Sequence, residues 1–298
     1  MGFNAASLNP QLVERIFLGL REKSERPIVE ELSSFVHDTP YISGTLPTMP
    51  SASTLARAEG SIAIGAEAKE IDTSLSSVPF KIVRWPGFTQ VPEHVIQDLD
   101  AQGFSALDGF AKRALAEAKA NCDKDLKDLL KSTSLNKTAG AGAGWTSGGG
   151  DPFGNLDTIF NTIGDADILV LGRKQAQLLQ KHPDIIAETM NFSAGSVSQS
   201  KVAEVIQRIY PHLTKVIIGG SMYNSAKEGQ TAAVGFLLDD LVWAGYADDL
   251  VYVRQTGIDR TKMDYDVRRR TVLISYEEPG DIVRCNVDKG YYLSGTNA

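Results

Sequence analysis

The chain has 298 residues, 42% of them hydrophobic and 22% charged, a composition ordinary for a soluble globular protein with one large or two modest cores. A formal net charge of −7 argues against non-specific binding to DNA or to an anionic membrane as its main task. Two cysteines, Cys122 and Cys285, make no disulfide framework, which points to a reducing compartment. Met1 to Asn9 is neutral and short of apolar length, so no secretory segment is expected, and the longest apolar run, Ala232 to Leu238, is far too short to cross a bilayer.

In chain order, Asn9 as N-cap and Pro10 at the first helical position open a short helix with Leu12, Val13, Ile16, Phe17 and Leu20 on one face. A second short helix is expected from Pro27 to near Val36. The stretch from Pro40 to Val91 reads as extended. Pro40, Pro47, Pro50 and a Ser/Thr-rich run exclude a helix at its start. Its middle, Arg57 to Ile71, is sparse in large apolar side chains and carries mixed charge. Val78, Phe80, Ile82 and Val83 then form a strand-like return that ends at Trp85-Pro86. Two strands joined by a long tip make a ribbon, and an isolated ribbon is marginal in water. Another subunit is the partner that would justify it, so the segment reads as an assembly element.

Pro92 and Glu93 open a further short helix. From Phe104 to about Ser132 a helical pattern runs unbroken, with Leu107, Phe110, Ala111, Ala114, Leu115, Ala118, Cys122, Leu126 and Leu129 on one face. The other face carries Lys112, Arg113, Glu117, Lys119, Asp123, Lys124, Lys127, Asp128 and Lys131. Such a helix is about 40 Å long and suits a rod lying across a sheet. The alanines and the lack of sustained heptads argue against a coiled coil.

Thr138 to Gly154 is glycine-rich and reads as a mobile loop between two subdomains. Mixed α and β follow: a helix from Leu156 to Ile163, a buried strand from Ile168 to Leu171, and a helix from Arg173 to Lys181 stopped before Pro183. Ser200 to Tyr210 reads as a helix, Val216 to Ile218 as a strand, and Val234 to Ala247 as strand-rich. The tail is β, with a strand from Leu250 to Gln255. Thr271 to Tyr276 and Ile282 to Val287 read as a hairpin around Glu278-Pro-Gly-Asp281, a sequence with type II turn chemistry.

No residue set carries catalysis. The glycine loop has no Gly-Lys-Ser/Thr and follows a helix, unlike a phosphate loop. His37, His94, His182 and His212 have no metal spacing. Gly219-Gly-Ser-Met-Tyr lacks the final glycine of a nucleophile elbow. Cys122 and Cys285 read as buried structural thiols. The acid pairs Asp239-Asp240 and Asp248-Asp249 read as solvated turn or edge carboxylates. Arg268-Arg269-Arg270 is a basic triplet before a strand, read as nucleic-acid contact or as an inter-subunit ion-pair cluster.

The order of parts resembles the major capsid proteins of tailed bacteriophages over nearly the whole chain. Phe80-Lys-Ile-Val-Arg-Trp-Pro-Gly-Phe-Thr-Gln-Val-Pro-Glu93 resembles the strand that leaves their ribbon and enters a short helix. Ala166-Asp-Ile-Leu-Val-Leu-Gly-Arg173, with Leu178 to Pro183 after it, resembles the first strand and helix of their axial domain. Leu238-Asp-Asp-Leu-Val-Trp243 resembles a stretch where many members read Ile-Trp-Gly-Asp. The resemblance implies an α+β fold of the Hong Kong 97 type. It divides the chain into an N-terminal arm (1–39), an extended β-ribbon (40–91), a peripheral domain with the spine helix (92–155 and 250–298) and an α/β axial domain (156–249). Many members also begin with a cleaved scaffold-like segment, and here a short arm starts at Met1.

The implied function is structural and non-enzymatic, with no cofactor and no membrane. Subunits would form hexamers and pentamers, then the icosahedral head of a virion assembled in the bacterial cytoplasm. Portal, scaffolding and decoration proteins are the further partners implied, and the DNA would be enclosed without specific binding. Arg57, Glu59, Glu67, Lys69 and Glu70 on the ribbon, with Arg268, Arg269 and Arg270, are the inter-subunit contact candidates. The rival readings are an encapsulin-like nanocompartment shell and an enzyme built on the α/β subdomain.

Overall fold

The computed structural model describes residues 28–48, 76–101, 106–132, 135–138, 144–145, 150–192, 198–220, 222–224, 234–239, 241–286, 289–294 and 296. The helix expected after Pro10 and the charged middle of the ribbon lie outside these residues. The first elements are α1 (Ile28–Leu32), β1 (Phe35–Thr39), β2 (Ser43–Thr48), β3 (Ser76–Lys81) and β4 (Val83–Pro92). Then come α2 (Glu93–Ala101), the spine helix α3 (Ala106–Ser132), β5 (Leu135–Thr138), α4 (Pro152–Ile163) and β6 (Ile168–Leu171). Helices α5 (Arg173–Lys181), α6 (Pro183–Phe192) and α7 (Gln199–Ile209) lead to β7 (Lys215–Ile218), β8 (Met222–Asn224), β9 (Val234–Phe236) and β10 (Val242–Gly245). The chain ends through β11 (Leu250–Gln255), β12 (Thr261–Asp266), β13 (Thr271–Arg284) and β14 (Gly290–Ser294).

The spine helix runs 27 residues, as its periodicity predicts, and buries Ala111, Ala114, Leu115, Ala118, Cys122, Leu126 and Leu130. The small residues in this stripe have a physical purpose at β4. A Cβ on Gly87 would stand 1.8 Å from the Ala114 carbonyl oxygen, so strand and helix backbones touch there, and only glycine opposite alanine permits it. Three polar bonds pin the same contact. Phe88 N–H donates to Glu117 at 3.2 Å, the Asn121 amide donates to the Pro86 carbonyl at 2.8 Å, and Trp85 Nε1 donates to Asp125 at 2.6 Å. Asp123, expected on the solvated face, is instead wholly buried and accepts the Ile28 N–H at 2.9 Å. Helix α1 covers that flank of the spine, and the carboxylate satisfies a donor at its first turn.

The first sheet has the order β1-β11-β13-β12, with β4 also paired to β13. Two expectations change here. The helix expected to end near Val36 stops at Leu32, and Phe35–Thr39 pairs in parallel with Val251–Gln255. The Phe-Val pair and Thr39 favour a pleated, half-buried surface once a partner strand is available. The expected hairpin at Glu278–Asp281 is absent, because β13 is one strand of 14 residues through Pro279 and Gly280. Among the described glycines, positive φ occurs at Gly150, Gly164 and Gly257, so Gly280 does not adopt the type II turn conformation. Pro279 is tolerated by position. The β12 ladder ends at Tyr276 and the β11 ladder begins at Gly280, which leaves Pro279 in the gap between them. The hairpin is β12–β13, turning at Arg268–Arg270.

The second sheet has the order β5-β14-β10-β6-β7, with α4 to α7 packed against it around Leu156, Ile159, Leu169, Leu179, Val202 and Ile206. Strand β6 is buried at all four positions, as its apolar run predicts. Strands β5 and β14 come from the segments expected in the peripheral unit, so this sheet crosses the expected division of the chain. Pro183 opens α6 directly after α5, where the sequence reading has only a stop. Asp151 caps α4 by accepting the Gly154 N–H at 2.8 Å, which starts that helix four residues before the expected Leu156. Within the glycine-rich run, Trp145 is fully buried in this core and its backbone N–H donates to the Thr296 carbonyl at 3.0 Å, so the run is tied down at that point.

A third apolar cluster joins the sheets. Ile168, Val170, Trp243 and Tyr292 of the second sheet meet Trp85, Leu250, Tyr252 and Ile282 of the first, with Cys122, Leu126 and Leu130 of the spine between them. Among the described residues, no helix is long and apolar enough to cross a membrane.

Candidate assembly surface

Strands β2 and β3 pair antiparallel, from Ser43 opposite Lys81 to Thr48 opposite Ser76, and form the root of the ribbon. Among the described residues each pairs with one strand only, so Pro47 and Pro79 are tolerated on their open sides. Leu46, Phe80 and Ile82 bury against Val253 and Val283 of the first sheet. Ile82 N–H donates to the Ile42 carbonyl at 2.8 Å, and Lys81 N–H donates to Asp281 at 2.7 Å. Burial pushes the Asp281 carboxyl above the usual aspartate range, against the lowering effect of the N–H groups of Lys81 and Ile282. The root is therefore fixed to the body, with the first sheet beneath Leu46, Phe80 and Ile82.

Large apolar side chains gather at this end of the molecule. Tyr41 is 72% exposed, Ile42 64% and Phe35 58%, with Val83 at 42%. Phe35, His37 and Phe80 make a row of rings, with centroids 6.1 and 6.3 Å apart. A concentration of exposed apolar side chains marks a contact surface more often than isolated ones do. Polar clamps surround it. Arg254 grips Asp38 through two bonds of 2.7 and 2.9 Å, and this guanidinium holds the Asp38 carboxyl below its ordinary range. Arg84 meets Glu277 at 3.0 Å.

The basic triplet sits at the opposite end of β4. Strand β4 runs ten residues from Val83 to Pro92, about 30 Å end to end. Arg268, Arg269 and Arg270 are all exposed at the tip of the β12–β13 hairpin, next to Val267 at 73% exposure. Asp266 accepts the N–H groups of Arg268 and Arg269 at 2.9 and 3.2 Å, and Arg270 takes a φ of 48°. A non-glycine residue in that region is held there by its surroundings. Here Glu93 N–H donates to the Arg270 carbonyl at 2.9 Å, which fastens the turn to α2. The structure thus brings the three arginines together on a fastened turn. Arg57, Glu59, Glu67, Lys69 and Glu70 lie outside the described residues.

Two buried polar centres went unrecognised in the sequence. Glu278, 2% exposed, accepts the Tyr252 hydroxyl at 3.1 Å and the Tyr276 hydroxyl, and lies 3.5 Å from Arg260. Burial, reinforced by Glu278, raises the Tyr252 hydroxyl well above its usual range. Asp249, expected in solvent, is 1% exposed and paired with the equally buried Arg284. Cys122 is buried, with its thiol pushed well above the ordinary range by desolvation. Among the described residues, no group of three or more His, Cys, Asp or Glu side chains is placed to hold a metal ion.

No family model matches the chain, and no curated protein sequence matches it significantly. Solved structures do match in three dimensions. A phage-related protein from Bordetella bronchiseptica RB50 superposes with a TM-score of 0.65 at 16% identity, over 96% of this chain and 97% of its own. The asymmetric unit of the bacteriophage PhiM1 mature capsid matches with a TM-score of 0.51 at 11% identity, over 92% and 88%. A virus-like particle from Pyrococcus furiosus matches with a TM-score of 0.54 at 13% identity, over 95% and 98%. The chain has the α+β fold of tailed-phage capsid proteins.

Proposed function

We propose that this chain is the major capsid protein of a tailed bacteriophage, a subunit that assembles with copies of itself into hexamers, pentamers and an icosahedral head around double-stranded DNA. The single observation that carries this reading is the ribbon. Its root is fixed to a rigid sheet, its two strands pair with no third strand among the described residues, and exposed apolar residues flank its base. A two-stranded ribbon is marginal on its own, and one that runs on from its root as the sequence reads gains stability from a second surface. A neighbouring copy supplies one, and the same contact repeated around a ring closes an assembly.

On this reading the arm, ribbon, peripheral and axial regions keep the assignments given above, with the second sheet drawing β5 and β14 from the flanking segments. The arginine tip and the ribbon charges Arg57, Glu59, Glu67, Lys69 and Glu70 act as inter-subunit contacts of small individual worth, multiplied by repetition. The role is structural, and the net negative charge suits a container that must release its nucleic acid. The virion is the location, with portal, scaffolding and decoration proteins as partners. The similarity to the Pyrococcus virus-like particle supports a second reading, a shell of the encapsulin type around protein cargo.

Deleting Ser51 to Ser76 tests the role of the ribbon. The variant subunit is expected to fold, with an unchanged thermal transition, and to fail to assemble. Intact shells from the deleted chain would refute the proposal. The contents of wild-type particles, DNA or an enzyme, decide between the two kinds of shell.

A further inference from the structure

The chain passes between the two sheets twice near one point, from β10 to β11 through Ala247–Asp249 and from the end of β13 toward β14 through Cys285 and Asn286. Asp249 stands on the first crossing and Arg284 at the start of the second. Arg284 Nε donates to Asp249 Oδ2 at 2.7 Å, and a terminal guanidinium nitrogen donates to the same oxygen. The other carboxylate oxygen accepts the Asn286 N–H, Cys285 N–H donates to the Asp249 carbonyl at 2.9 Å, and Arg284 Nη2 reaches the Asn286 carbonyl at 2.9 Å. The guanidinium also lies 5.8 Å from the Trp243 ring centroid on β10. Gly290 on β14 leaves it room, since a Cβ there would fall 2.4 Å from its terminal nitrogen. One side chain of the first sheet is thus seated between two strands of the second and bonded to both crossings.

We infer that the Asp249–Arg284 pair is a positioning clamp that fixes the angle between the two sheets. A buried ion pair is a poor source of net stability compared with apolar side chains of the same volume, but its bonds are directional. The apolar cluster on the other side of the junction, around Ile168, Val170, Tyr252 and Ile282, is non-directional and tolerates small rotations at similar energy. The consequence for assembly rests on the shell reading. There, the angle between the sheets is a component of the subunit's curvature, and a loose angle gives shells of mixed size.

The test places spin labels, carried by non-natural amino acids, at exposed positions Glu204 on α7 and Asp264 on β12. Pulsed electron–electron resonance on the full-length chain then measures the distance between them. Two variants remove the clamp by different routes. Asp249→Leu with Arg284→Met removes both charges and keeps an apolar fill, and Gly290→Ala keeps both charges and displaces the guanidinium. The expected result is a single narrow distance in the wild-type chain, lost to a broad or shifted distribution in both variants while circular dichroism stays native. A narrow, unshifted distance in either folded variant would overturn the clamp. Where the wild-type chain forms shells, electron microscopy of the variants is expected to show a spread of particle diameters. Unassembled wild-type chain with a narrow distance would count against the shell reading and leave the clamp standing.

Discussion

Gly87→Ala adds one methyl group, and the structure sets its cost. The new Cβ would lie 1.8 Å from the Ala114 carbonyl oxygen and 2.8 Å from both the Ala114 carbonyl carbon and the Ala118 nitrogen. All three atoms are helix backbone, so no side chain can turn aside. Carbon–oxygen contacts close to about 3.3 Å at best, so strand and helix must separate by roughly 1.5 Å. That shift unpacks Ala111, Leu115 and Ala118 from Val91, Val272 and Ile274 and stretches the bonds from Phe88 to Glu117 and from Asn121 to Pro86. Overpacking costs about 1–3 kcal/mol and each weakened hydrogen bond about 1 kcal/mol. The expected loss is about 3–5 kcal/mol, a large share of the roughly 5–15 kcal/mol a domain holds in total. Gly109→Ala is the control, because it is exposed on the same helix and a Cβ there meets nothing within 4 Å. That change is expected to stabilise by about 1 kcal/mol through helix propensity alone. Urea unfolding of dissociated subunits, with midpoint and slope compared across the pair, gives the readout. A Gly87→Ala chain within about 0.5 kcal/mol of wild type would refute the backbone contact on which the spine's packing is argued.

Two further perturbations follow from the polar contacts. Glu278→Leu strips the acceptor from two tyrosine hydroxyls and from Arg260, and is expected to cost about 3–5 kcal/mol in the same urea assay, with Glu278→Gln recovering part of it. Asp38 is depressed in the folded chain, so its contribution is fully present above the ordinary aspartate pKa and disappears as pH falls through the lower folded value. Asp38→Asn should therefore flatten the fall in stability on the acid side of pH ~4, by no more than about 0.5 kcal/mol because the pair is solvent-screened. Equal acid slopes in the two chains would remove Asp38 from the account.

What the sequence made legible was what depends on period. The 3–4 spacing from Phe110 to Leu129 sets the spine helix, and short apolar runs bounded by turn residues set β6 and β11. Partners distant in sequence were not legible. Pro279-Gly280 has the chemistry of a turn, but the ladders to β4, β11 and β12 hold β13 straight, and the missing N–H falls between two of them. Asp123 and Asp249 look like surface acids, and each is buried because a segment 95 or 35 residues away brings it a donor. Trp145 lies in a run of glycines, yet its ring fills the core of the second sheet. On the assembly surface, sequence placed the arginine triplet ahead of a strand, and the fastened hairpin tip emerged only from the Asp266 and Glu93 contacts. The apolar patch of Phe35, Tyr41 and Ile42 carries no periodic signal, since Phe35 falls inside the helix expected from Pro27 to near Val36.

The proposed subunit builds a closed shell through its own ribbon. Negative-stain electron microscopy of the purified chain, with light scattering on the same sample, tests it most directly. The account predicts closed shells, tubes or capsomer-sized rings. A uniform monomer or dimer, persisting at high concentration and after co-expression with neighbouring phage proteins, would contradict it.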